Sequence, residues 1–160
     1  MEDSLTGFGF IIKQPWDKSI ENIKGSGNIG KAALVFQGEI TAVTQSVLTL
    51  QHEIPLHTQL TINYYVDSHP ALKALYSPAR SSQTVQTCCE ALCIHGCTHK
   101  ITLNWVKAHD WHELNEIADD LAKAGTTTNN HIPVHPPIKT LYNTKKLTQL
   151  THGKRDRRET

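Results

Sequence analysis

Trp105-Val106-Lys107-Ala108-His109 and, after Asp110 to Leu114, Asn115-Glu116-Ile117-Ala118-Asp119-Asp120-Leu121-Ala122-Lys123 set the frame for the rest of the chain. Ile101 to Val106 (ITLNWV) is apolar and β-branched enough for a strand, and a polar loop follows it. Asn115 to Ala124 reads as a compact helix, stopped by Gly125. Upstream, Leu60 to Val66 (LTINYYV) is the strongest strand in the chain and runs straight into Asp67. Pro70 suits a first helical turn, so His69 to Leu75 is expected as a short helix, with a second from Thr84 to His95. Earlier still, Phe36, Ile40, Val43, Val47 and Leu50 recur at steps of three and four, one apolar helical face, which Pro55 closes. Gly7 to Gln14 (GFGFIIKQ) reads as a strand ended by Pro15, and Lys18 to Lys24 as its partner, with Gly25, Gly27 and Gly30 marking a loop. The order β, β, α, β, α, α, β, α describes a mixed α/β layer with helices packed on a sheet.

Length and charge bound the function. The 160 residues suffice for one domain, expected over 1–126, and a tail over 127–160. That tail has Pro133, Pro136 and Pro137, no sustained periodicity, and basic residues from Lys139 onward, so it is expected to be disordered. Its charge reads first as a solvated run and second as a phosphate contact. Sixteen Lys and Arg against fifteen Asp and Glu leave a net charge of +1, which neither demands nor excludes a nucleic-acid partner. No window reaches the ~20 apolar residues that cross a bilayer, and no signal peptide is visible, so no membrane partner and an intracellular location, cytoplasmic or nuclear, are expected. The cysteines Cys88, Cys89, Cys93 and Cys97 are then reduced thiols.

Three acids fall at matched places. Glu39 lies inside the first long helix, Asp67 at the C-terminal end of the best strand, and Asp119 on the last helix. Ligands collect at strand C-terminal ends in open α/β sheets, which favours Asp67 for chemistry. Any one of these acids alone is ordinarily a solvated surface charge. Together they would repel one another unless a cation compensates, and oxygen donors of this kind suit Mg²⁺. Two such ions roughly 4 Å apart can activate a water and stabilise the leaving oxygen in phosphodiester cleavage.

Trp105 to His109 with Asn115 to Lys123 closely resembles the last strand, loop and helix of type 1 ribonuclease H, in the form found in non-LTR retrotransposons beside a reverse transcriptase. Val35-Phe36-Gln37-Gly38-Glu39-Ile40-Thr41-Ala42 is similar to the family's helix bearing its second acid, and Val66-Asp67-Ser68 to the strand end bearing its third. Trp111 and Leu114 stand where the family has two loop glycines. The resemblance runs from about Glu2 to Thr126. It implies a ribonuclease H-like fold, a mixed sheet with helices on both faces, and metal-dependent endonucleolytic cleavage of the RNA strand of RNA–DNA hybrids. Glu39, Asp67 and Asp119 would hold Mg²⁺, with Mn²⁺ as a substitute, and His109 would assist proton transfer or product release. Ser68, Asn115 and Glu116 would position the site or the hybrid, against a plainer role in capping and loop structure.

One part of the pattern is missing. The family's first strand is central and carries an Asp, followed by a loop and a G-x-G opening, which Gly7-Phe8-Gly9 supplies here. Only Glu2 and Asp3 precede it. Either Glu2-Asp3-Ser4 replaces the acidic motif, or Met1 to Thr6 is the loop itself and the true first acid lies before Met1; the second reading is preferred. The expectation is then a first central strand missing, with low stability and little activity. A non-catalytic nucleic-acid-binding remnant is the main rival. A zinc site on Cys89, Cys93, Cys97 and His99 is a lesser one, because structural zinc favours ligand pairs on turns.

Overall fold

The computed structural model describes residues 4–14, 21–55, 57–79, 82–107 and 113–135. Eight elements follow in the expected order: β1 (Gly7–Ile12), β2 (Ile23–Asn28), α1 (Val35–Glu53), β3 (Thr61–Val66), α2 (His69–Tyr76), α3 (Gln83–Gly96), β4 (Lys100–Trp105) and α4 (Glu113–Gly125). The strands form two pairs. β1 and β2 are antiparallel, with Phe8 opposite Gly27 and Phe10 opposite Gly25. β3 and β4 are parallel, with Thr61 opposite Lys100 and Val66 opposite Trp105. Among the described residues no strand joins the two pairs.

α1 is the spine. Ile40, Val43, Val47 and Leu50 are all buried, as their spacing requires, and they pack with Tyr64 and Val66 of β3, Ala71 and Leu72 of α2, and Val85 and Cys88 of α3. Each such side chain contributes on the order of 1.5–3 kcal/mol by leaving water. The start of α1 is secured by Gln37, whose Oε1 accepts the Leu34 N–H at 3.0 Å. The Gln37 side chain is fully buried, and its amide is satisfied by the His135 carbonyl at 3.1 Å. Ser68 and Ser82 cap α2 and α3, their hydroxyls accepting the Ala71 and Val85 N–H groups.

β1 lies between two helices. A Cβ on Gly9 would sit 2.5 Å from the Ala118 carbonyl oxygen of α4, and one on Gly38 of α1 would sit 2.7 Å from the Gly7 carbonyl oxygen. The glycines therefore set how closely α4 and α1 approach opposite faces of the hairpin, and helices cover both faces there.

Two expectations change. The partner strand is Ile23–Asn28 and not Lys18 to Lys24; residues 18–20 lie outside the described set, and Gly25 and Gly27 belong to the strand. They are tolerated because the Phe10 and Phe8 rings lie over them and occupy the space a side chain would take. The start of the tail is also ordered. Asn28 donates its backbone N–H to the Asn130 carbonyl and its side-chain amide to the Thr128 carbonyl, while the Ile132 N–H returns to the Asn28 carbonyl. Polar Thr128, Asn130 and His131 thus clasp β2, which composition alone had assigned to disorder. Residues 136–160, with the basic run, lie outside the described set. No described helix is long and apolar enough to cross a membrane.

Candidate active site

Residues of both β1 and β3 line a common cleft of about 510 Å³. Gly38, Glu39, Ala42 and Val43 of α1 line one side of it, and Leu114, Asn115, Ala118 and Asp119 of α4 also border it. Asp67 closes the end reached by the C-terminus of β3.

Each acid is placed by its own element. Glu39 follows Gly38, whose missing side chain lets the first turns of α1 press against the start of β1. Asp67 comes directly after β3. Asp119 follows Ala118, the residue seated over Gly9. Burial pushes the Glu39 carboxyl up to about 7, and the charges of Asp67 and Asp119 push the same way. The three acids expected from sequence therefore share one electrostatic field. Asp67 is also held by Asn115, whose Nδ2–H donates to Oδ2 at 3.3 Å, so the start of α4 is tied to the end of β3.

Residues 4–127 match the family model described as RNase H. The chain belongs to the RNase H family. Among solved structures, the fold is similar to that of LC9-RNase H1, described as a type 1 RNase H with the type 2 active-site motif, with a TM-score of 0.54. That likeness has 12% sequence identity and covers 85% of this chain and 69% of the other. No curated protein matches. The activity of the RNase H family is hydrolysis of the RNA strand of RNA–DNA hybrids, and its members use divalent metal ions.

In this RNase H chain the metal question divides into chemistry and geometry. The donors are all carboxylate oxygens whose mutual repulsion a divalent cation would relieve, so their chemistry fits such an ion. Their geometry stops short of a closed ligand set: among the described residues no three His, Cys, Asp or Glu side chains are arranged to hold a metal ion.

The other candidates separate clearly. Ser68 caps α2, with its Oγ 3.2 Å from the Ala71 nitrogen, which answers for the plainer of its two expected roles. Asn115 touches Asp67, and Glu116 is exposed in the first turn of α4, where its charge suits the helix dipole. His109, Trp111, Glu2 and Asp3 lie outside the described residues. The cysteines do not converge on a zinc site. Cys88 and Cys89 are buried in the core while Cys93 and Cys97 are exposed. Burial pushes the Cys88 thiol up to about 11, and the His99 ring nitrogen accepts the Leu60 N–H at 3.2 Å.

Trp105, which the strand's apolar character places as a core residue, is 45% exposed. Its Nε1–H donates to the Asp67 carbonyl at 3.2 Å, and its ring stacks on His69 with centroids 4.3 Å apart. Strand alternation carries the signal that finds it: Val106 is buried, so the preceding side chain points the other way. Trp105 therefore braces the backbone of Asp67 from outside the core.

Proposed function

We propose that this chain is the ribonuclease H of a retroelement, of the non-LTR retrotransposon kind, and cleaves the RNA strand of RNA–DNA hybrids with a divalent cation held by Glu39, Asp67 and Asp119. The observation that carries this reading is that three carboxylates, from α1, the end of β3 and α4, line one cleft, where the charges of Asp67 and Asp119 act on Glu39. Bound Mg²⁺, or Mn²⁺ in its place, would supply a hydroxide-generating Lewis acid and stabilise the leaving oxygen. The chain's own groups prepare for that. Asn115 donates to one Asp67 carboxylate oxygen, while Trp105 anchors the Asp67 backbone carbonyl. Glu39, whose carboxyl is pushed up to about 7 by burial and by Asp67 and Asp119, would be favoured in its ionised form by a bound cation. His109 would accept or deliver a proton from the segment before α4, and Glu116 would face the hybrid. The hybrid would be recognised by duplex shape and 2′-hydroxyls, with binding that weakens as salt rises.

The same reading holds that activity is impaired, because among the described residues no fourth carboxylate joins Glu39, Asp67 and Asp119 in the cleft. Glu2 or Asp3 would be a poor substitute for it, and the intact element would also contain a reverse transcriptase. The unclosed ligand set favours a second reading, a non-catalytic hybrid binder. Cleavage of an end-labelled hybrid in Mg²⁺ and in Mn²⁺, with Asp67→Asn beside the unchanged chain, tests both. Slow cleavage that Asp67→Asn abolishes supports the nuclease. Hybrid binding with no metal-dependent cleavage at any concentration supports the binder.

A further inference from the structure

α2 has an exposed face that the three acids do not use. His69, Lys73 and Tyr76 are all exposed, and their steps of four and three put them on one side of the helix. The His69 ring lies flat on Trp105, with centroids 4.3 Å and planes 20° apart. Trp105 is itself held through its Nε1–H by the Asp67 carbonyl, so the stacked pair is fixed in the open just past β3. Tyr76 is 67% exposed although its hydroxyl donates to the Leu103 carbonyl of β4 at 3.3 Å. Rings tied down by a polar atom or a stack, and still open to water, are ready to receive a flat partner. Charge points to the same kind of partner. Lys73 lies between His69 and Tyr76, exposed Lys107 follows Trp105 by two residues, and α2 contains no acid. Among the described residues neither lysine is in an ion pair.

We propose that His69, Trp105 and Tyr76 form a stacking strip for unpaired nucleotides, with Lys73 and Lys107 on their phosphates, so that the domain holds a single-stranded tail where it leaves a hybrid beside Asp67. The strip has the right length: at ~1.5 Å of helix per residue, His69 and Tyr76 are about 10 Å apart, roughly three base steps of ~3.4 Å. Stacking asks only for the flat face of a base, so the strip takes any base on either sugar. A base inside a duplex has both faces covered by its neighbours and cannot use it. The strip therefore favours hybrid ends, gaps and flaps over the interior of a long hybrid. That choice of substrate rests on the nuclease reading; the binding of a single strand does not.

The test uses the full chain in EDTA and a fluorescein-labelled deoxyadenosine oligomer of about twelve nucleotides, beside an abasic oligomer of the same length that keeps the phosphates and lacks the bases. The expected result is at least fivefold tighter binding of the deoxyadenosine oligomer, a preference that His69→Ala and Tyr76→Ala together remove. Lys73→Gln is expected to make the fall of log affinity with log salt shallower by about 0.7, the share of one phosphate contact on a single strand. Lys73 is exposed on the helix surface, so that variant keeps its fold should the double variant lose it. Equal affinity for the two oligomers, a base preference that survives the double variant, or an unchanged salt slope in Lys73→Gln overturns the strip. A hybrid with a four-nucleotide deoxyadenosine tail, set beside a blunt one in Mg²⁺, separates this inference from the nuclease reading. Tighter binding of the tailed hybrid without cleavage supports the strip and counts against the nuclease. Cleavage of both hybrids at equal rates, with no single-strand binding, does the reverse.

Discussion

The two strand pairs are built on opposite principles. The β1–β2 pair is enclosed: α1 presses on one face, α4 on the other, and residues 128–132 fasten its outer edge. The β3–β4 pair packs one row, Tyr64 and Val66, into the core and turns Thr61, Asn63 and Tyr65 outward. On that outer face Thr102 donates to Asn63, and Asn104 donates to Thr102 at 3.3 Å, a polar network that suits contact with water. In the enclosed pair a Cβ added at Gly7 or Gly9 would run into the backbone of α4. The candidate site lies where the two meet. Asp67 ends the open pair, and Glu39 and Asp119 are positioned by glycine contacts with the enclosed one.

Substitutions on either side should break this contrast by very different amounts. The largest effect is expected from Asp67→Asn, which keeps the shape of the site and removes a charge. Hybrid cleavage should fall by more than about 100-fold, beyond the loss usual for groups that only support a ligand, with thermal stability nearly unchanged. Glu39 gives the next. Its folded carboxyl, at about 7 against an ordinary 4.5, holds its proton more tightly than in the unfolded chain. Stability of the metal-free protein is therefore full below pH 4.5 and declines as pH rises through 7, by up to about 3 kcal/mol. Glu39→Gln should flatten that decline in urea titrations at pH 5 and pH 8, and a persistent slope would show that other groups cause it.

On the enclosed side, Gly9→Ala forces a methyl against the backbone of α4 and should cost about 1–3 kcal/mol by denaturant unfolding. Trp105→Ala removes one hydrogen bond and one ring stack, and should cost about 1 kcal/mol in stability with about a tenfold loss in cleavage. Lys100→Gln, exposed on the open pair, should shift the unfolding midpoint within error, corresponding to less than about 0.5 kcal/mol. If Gly9→Ala and Lys100→Gln prove equally mild, the contrast between the pairs is not mechanical.

Sequence reading captured the elements whose signal is local. α1 announced itself through Ile40, Val43, Val47 and Leu50, and β3 through its run of β-branched and aromatic residues up to Asp67. Asp67 was favoured by its place at a strand end, whereas Glu39 was legible only through the resemblance, because no local pattern distinguishes it from a surface glutamate. β2 was misplaced because its stability is lodged in its neighbour: Gly25 and Gly27 look like loop residues until the rings of Phe10 and Phe8 are laid across them. The clasp at residues 128–132 was missed for a similar reason. Asn28 and Asn130 lie about a hundred positions apart, and composition cannot show that one completes the hydrogen bonding of the other. The exposure of Trp105 follows from its alternation with buried Val106, a signal already present in the strand's sequence.

The seam between Gly9 and Ala118 has a consequence for how this domain can diversify. Asp119 takes its position from the helix turn that rests on the hairpin, and that turn has no freedom to slide. A side chain at position 9 would displace the helical turn that carries Asp119, so drift at a glycine remote from every acid would still reach the site.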